Sequence, residues 1–129
     1  MNELQVEADL KNIDFIEEFI AISKEIPDNK RSMALIIATE VFDNIAEHAV
    51  LTKSSAVRLA VSDIFFPRLC FSYYSSNFDH LLQALKKTKP HFDSDAQRYR
   101  GFGLLMTKNL ARRVSYQQQN GCVRIVVYL

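Results

Sequence analysis

Apolar and polar positions along this chain switch between two periods, and the switches mark its elements. Residues 3–8, "ELQVEA", alternate weakly and predict an edge strand. In "DLKNIDFIEEFIAISKEI", Leu10, Ile13, Phe15, Ile16, Phe19, Ile20 and Ile22 recur at three- and four-residue spacing. That period predicts an amphipathic helix, ended by Pro27. "DNKRSMALIIATEVFDNIAEHAV" predicts a second helix, N-capped by Asp28 or Asn29 and running to about Ala49. It is apolar on several faces, so it is expected at the centre of the fold, covered by other elements.

The period then shortens. "SAVRLAVSDI" sets Val57, Leu59 and Val61 against Ala56, Arg58 and Ala60, which predicts a strand. "RLCFSYY" reads as its hairpin partner, with "DIFFP" as the turn and Pro67 closing it. "FDHLLQALKKT" predicts a short helix capped near Asn77. "KPHFDSDAQRYRGFG" has weak periodicity and reads as a long loop, and loops of that length in a domain usually carry function. "LLMTKNLARRV" predicts a helix opening on Gly103. "VSYQQQ" and "CVRIVVYL" predict a hairpin around Asn120-Gly121, a dipeptide suited to a turn with two positive φ angles. The expected fold is α+β, a two-layer α/β sandwich. Its sheet is expected to be mixed and mostly antiparallel, with the helices on one face.

Length and composition narrow this little. At 129 residues, one domain over 1–129 is expected. The 48% of hydrophobic residues and only 3 Gly and 3 Pro are globular values that argue against a low-complexity chain. A net charge of +1 gives no electrostatic footprint for nucleic acid. The short basic clusters at Lys86, Lys87 and Lys89 and at Arg112 and Arg113 read as solvated helix ends. The polar start "MNELQVEADL" lacks a signal-peptide pattern, and no apolar run reaches the roughly 20 residues needed to span a bilayer. A cytoplasmic protein is expected, with Cys70 and Cys122 as free buried thiols. Neither nucleic acid nor membrane is expected as a partner.

Chemistry enters at "ATEVFDNIAEHAV". Helical spacing puts Glu40, Asn44 and His48 on one face, amid apolar positions. An amide oxygen is a hard ligand suited to Mg²⁺, and a carboxylate lies one turn before it. About sixty residues on, Arg100-Gly101-Phe102-Gly103-Leu104 opens a helix, with Lys108 one turn later. Glycines at a helix N-terminus let backbone amides approach phosphates.

Together these motifs resemble the ATP-binding domain shared by gyrase, bacterial histidine kinases and anti-sigma-factor serine kinases, the GHKL superfamily. Glu40-x-x-x-Asn44-x-x-x-His48-Ala49 resembles its N box, and the Gly101/Gly103 segment its last glycine box. The length and the "EHA" ending look most like the anti-sigma-factor serine/threonine kinases, and the likeness covers nearly the whole chain. It implies a Bergerat-type ATP-binding fold, Mg-ATP as ligand, and residues 88–102 as the ATP lid. Asn44 would hold magnesium, and Glu40 would orient or deprotonate the attacking water or serine. Gly101, Phe102, Gly103 and Leu104 would cradle the phosphates. Lys108 would either add charge there or lie solvated on an exposed face. His48 is expected to support the helix end. A sigma factor or an anti-anti-sigma-like protein is the implied partner, and the family often forms homodimers.

One box departs from the family. Where an Asp should accept the adenine amino group, "CFSYYSSNFD" offers Tyr73; where a Gly should let the base lie flat, it offers Ser75. Tyrosine lacks the carboxylate's charge and reach. Asp79 remains close by in sequence. The pocket is then expected to bind ATP weakly through another contact, to hold a different ligand, or to be empty. In the last case the domain is a pseudo-kinase that works by binding a protein, through the exposed sheet face or the first strand and helix. A histidine kinase fits less well, because no dimerisation helix with a phospho-acceptor histidine is seen. His80 and His91, with Asp79 and Asp93, match no strong metal-ligand template.

Overall fold

Alternate burial runs along the central strands, and it decides which face of the sheet is covered. The computed structural model describes residues 2–79, 91–93, 98–100 and 110–129. Its strands are β1 (Asn2–Glu7), β2 (Ala56–Ser62), β3 (Arg68–Tyr74), β4 (His91–Asp93), β5 (Arg98–Arg100), β6 (Arg113–Gln119) and β7 (Cys122–Tyr128), and its helices are α1 (Ile13–Ile22) and α2 (Arg31–His48). Five strands form one sheet in the order β1-β2-β3-β7-β6, and each neighbouring pair is antiparallel.

Val57, Leu59 and Val61 of β2 point inward with Leu69, Phe71 and Tyr73 of β3 and Val123, Ile125 and Val127 of β7. They form one buried cluster with Ala34, Ile37, Ala38, Val41, Phe42 and Ile45 of α2 and Ile16 and Ile20 of α1. The β-branched majority suits a pleated, one-sided surface. The edge strands β1 and β6 contribute the half-buried Leu4, Val6, Val114 and Tyr116. The result is a two-layer α+β fold with helices on one face of an antiparallel sheet. The intervening strand positions form an outer face, half-buried to exposed at positions such as Arg58, Cys70, Ser72 and Arg124.

Several boundaries differ from expectation, for physical reasons. The sheet is wholly antiparallel among the described residues, not mixed. Residues Leu10–Asn12 are a 3-10 turn before α1, capped by the Asp9 side chain on the Lys11 amide. α1 ends at Ile22 rather than at Pro27, and Arg31 takes carbonyls of its last turn and of the residues that follow. Its guanidinium donates to the carbonyls of Ile20 (2.8 Å), Ser23 (3.0 Å) and Ile26 (2.9 Å) and to Asp28 Oδ1 (3.1 Å). Ser23 Oγ adds a bond to the Phe19 carbonyl. Asp28 and Asn29 do not cap α2; Asp28–Lys30 form a second 3-10 turn, and Lys30 precedes the helix without a side-chain cap bond.

The expected loop over 89–103 contains a short antiparallel pair, with His91–Asp93 registered on Arg98–Arg100. The expected helix over 104–114 has given way to β6 by Arg113. The helix expected from Phe78 lies mostly outside the described residues. The Asn120-Gly121 hairpin is as expected: φ is 54° at Asn120 and 79° at Gly121, the type I′ signature. Cys70 and Cys122 are free thiols, half-buried on the outer face rather than fully buried. No described helix is long and apolar enough to cross a membrane.

The Arg31 clamp yields a test. Replacing Arg31 by Ala leaves several carbonyls at the end of α1 without their donor and is expected to cost about 2–3 kcal/mol in urea unfolding. Arg31→Lys keeps the charge but not the planar fork, so it is expected to recover less than half of that loss. Full recovery by lysine would show that charge, not geometry, closes this corner.

Candidate functional site

Helix α2 carries the polar side chains, and its position against the sheet grades their depth. Glu40 and Asn44 are half-buried along one face, as the four-residue spacing requires. His48, at the open end of that face, has a side chain 48% exposed, with Nε2 3.7 Å from Glu47 Oε2. Its backbone carbonyl, rather than its imidazole, takes part in holding the helix end.

Asp43, between them in sequence, is 7% exposed and deeper than either Glu40 or Asn44. Buried carboxylates are rare unless paired, and Glu40, Asp43 and Glu47 each have an interaction partner. The signal for Asp43 was present in "EVFDNIAE", where Glu40, Asp43, Asn44 and Glu47 fall at i, i+3, i+4 and i+7. Among the described residues, no three acidic, imidazole or thiol groups come together to hold a metal ion. This is not a preformed cage.

The box between the two motifs has structural roles. Tyr73 points inward from β3 and is 2% exposed. Its hydroxyl has no hydrogen-bond partner among the described residues. Burial raises its pKa above the usual phenol value, and the neighbouring Tyr116 phenol raises it further. Tyr116 is itself raised by burial, and its ring packs at 6.0 Å from Phe78 in a tilted arrangement. An aromatic group of Tyr73, Phe78 and Tyr116 therefore occupies this corner of the core.

Ser75 is buried and donates to Asn77 Oδ1 at 2.7 Å. Asn77 then ties two elements together. Its Oδ1 accepts from the Val50 amide (2.9 Å), and its Nδ2 donates to the His48 carbonyl (3.0 Å). The Ser75 amide donates to the Gly121 carbonyl and the Ser76 amide to the Val50 carbonyl. The end of α2, the end of β3 and the β6–β7 turn thus meet at one point. Asp79 is exposed and lies outside this network. Gly101, Phe102, Gly103, Leu104 and Lys108 lie outside the described residues, as does much of the 88–102 segment.

The outer face of the sheet holds a second candidate that periodicity alone did not reveal. Strand register aligns Gln5, Arg58, Ser72, Arg124 and Gln117 in one row across all five strands. Arg58 pairs with Glu3 at 2.8 Å, and Arg124 donates to Cys70 Sγ at 3.5 Å. Beside this row lies an open cleft of about 720 Å³ lined by Lys53, Tyr74, Gln117, Gln118, Gln119, Asn120, Cys122 and Arg124. Lys53 Nζ sits 5.0 Å over the Tyr74 ring.

The fold and site define a two-layer α+β domain with an acidic and amide face on its central helix. No family model matches the chain, and no curated protein matches it.

The lone phenol gives a prediction with a sign. Tyr73→Phe removes a buried hydroxyl that lacks a partner and is expected to raise the unfolding free energy by about 1 kcal/mol at neutral pH. Because both phenols ionise less readily when folded, their contribution is complete below pH 10, the ordinary phenol value. It is lost as the pH rises from there towards the folded values. The Tyr73→Phe chain keeps only the Tyr116 share, so its alkaline loss is expected to be shallower. Denaturant curves at neutral and alkaline pH check both points, and a destabilised variant would mean that the hydroxyl has an acceptor.

Proposed function

We propose that the chain is a regulatory domain of the GHKL type, most like the anti-sigma-factor serine/threonine kinases. In this reading it keeps the magnesium-and-phosphate end of a nucleotide site, and side chains fill the adenine end. Support comes from the order of elements, in which a strand, two helices and a hairpin precede the glycine segment and the final hairpin. The helical face of Glu40 and Asn44 adds to it. Asn44 would hold magnesium through its amide oxygen, and Glu40 would orient the nucleophile. The acidic neighbours Asp43 and Glu47 would repel bare phosphates, which favours nucleotide entering with its metal.

The observation that carries the reading is Tyr73. In the position that the resemblance gives to the adenine-binding Asp, its ring lies in the core and offers no carboxylate. Ser75, in the glycine's position, is committed to Asn77. A site that bonds a polar base edge discriminates strongly, and one without that bond does not. ATP is therefore a weak ligand here, recognised by its phosphates.

A second reading, a non-catalytic module that binds a sigma factor or an anti-anti-sigma-like protein, is favoured by the arginine-bearing row and cleft on the open sheet face. Calorimetric titration separates the two. The first reading expects millimolar binding that needs Mg²⁺, with ATP and GTP within about threefold and a tenfold or greater loss in Asn44→Ala. Tight, ATP-selective binding would overturn the filled adenine end. Absence of binding by either nucleotide would leave the second reading.

A further inference from the structure

Three consecutive apolar side chains stand in solvent at the β2–β3 turn. Ile64 is 61% exposed, Phe65 91% and Phe66 46%. Phe65 also has φ at 68°, in the left-handed region that a bulky side chain rarely adopts and that Gly, Asn or Asp would relieve. Core packing does not account for a phenylalanine so exposed. A run of exposed apolar residues on a strained turn marks a contact surface.

The surroundings indicate what it contacts. Arg112 stacks its guanidinium 4.6 Å from the Phe66 ring centroid. Arg68 Nη1 donates to the Ile64 carbonyl at 3.4 Å, and Arg113 lies over Tyr128, whose carbonyl accepts from the Arg112 amide. Lys24 shares a cleft with Ser62, Asp63 and Ile64. Among the described residues, Asp63 and Glu25 line the same cleft as Lys24, while Arg68, Arg112 and Arg113 bring positive charge to the turn and Lys30 reaches the Leu129 carbonyl beside Pro67. An exposed apolar tip with arginines beside it is complementary to an apolar layer beneath a layer of negative charge.

We propose that this tip docks the domain on an anionic lipid surface. Phe65 and Ile64 enter the boundary between headgroups and acyl chains, while Arg68, Arg112, Arg113 and Lys24 meet the phosphates. The sequence expectation of no membrane partner rested on the lack of a spanning run, and lying on a membrane is a separate matter from crossing it. One small apolar tip gives reversible, salt-sensitive binding rather than permanent anchoring.

Co-sedimentation of the full chain with vesicles tests the proposal. Binding is expected to vesicles of phosphatidylcholine with phosphatidylserine and not to pure phosphatidylcholine. It is expected to fall at least tenfold between about 0.1 M and about 1 M salt, as the screening length shrinks from ~10 Å to ~3 Å. Phe65→Ser is expected to weaken it about tenfold. Phe15→Ser, which removes an exposed ring from the first turn of α1, is expected to leave it unchanged. Matching urea curves for both variants would show that the fold is intact. A wild-type chain that ignores the anionic vesicles overturns the proposal and points to an apolar pocket on a protein instead. Equal binding by Phe65→Ser, or an equal loss in Phe15→Ser, overturns it too.

Discussion

Asn77 fixes the helical layer to the sheet at the end where the candidate site lies. Its amide accepts from Val50 and donates to the His48 carbonyl, while Ser75 donates to it from the end of β3. Hydrophobic burial alone would let a central helix slide over a sheet, because apolar contact has no direction. Directed bonds at the end of α2 set where along the sheet Glu40, Asp43 and Asn44 come to rest. The Gly121 carbonyl joins through Ser75, so the β6–β7 turn is part of the same fastening. The depth of each polar group on α2 follows from that fastening, since slippage by one turn would carry Glu40 or Glu47 to the buried place that Asp43 holds.

The same fastening constrains what the neighbouring strand offers. β3 reaches the Asn77 corner with alternate residues inward, so Tyr73 has to enter the core between Phe71 and Ser75. A carboxylate in that place would need a partner or a ligand to offset its desolvation. A phenol costs less, and its ring fills volume beside Tyr116 and Phe78. A packed aromatic corner therefore takes this position. The polar groups on α2 lie on the helix side rather than at the strand end.

Much of the fold was legible in the sequence wherever one periodicity dominated. The alternation of β2, β3 and β7 and the Asn120-Gly121 turn read directly, because each depends on neighbours in the chain. Helix α2 was legible as a central helix for the same reason. What escaped depends on contacts between distant residues. Nothing local to Pro27 reveals that α1 ends early or that Arg31 gathers the carbonyls before it. The ladder between His91–Asp93 and Arg98–Arg100 has too few residues to show a period. Asp43 was hidden by its neighbours: next to Asn44 it looked like an ordinary polar residue, and only the packing of α2 shows that it is buried. The row from Gln5 to Gln117 cannot be seen in any one strand, since it exists only through register.

Two ends of the molecule result, and their separation has a consequence. The Lys30 amine donates to the Leu129 carbonyl, and the Leu129 amide to the Pro67 carbonyl, so the start of α2 lies beside the β2–β3 turn. The end of α2 lies at Asn77. With 18 residues in α2, those ends are about 27 Å apart at 1.5 Å per residue. The screening length at physiological salt is about 8 Å, so charges bound at one end hardly act through solvent on the other. Any influence between them has to pass through the rigid parts: α2 itself, and β3, which runs from Arg68 at the apolar tip to Tyr74 at the Asn77 corner. Both are held by packed cores that resist small displacements. The polar face of α2 and the basic apolar tip are therefore separate features of the fold, joined through α2 and β3.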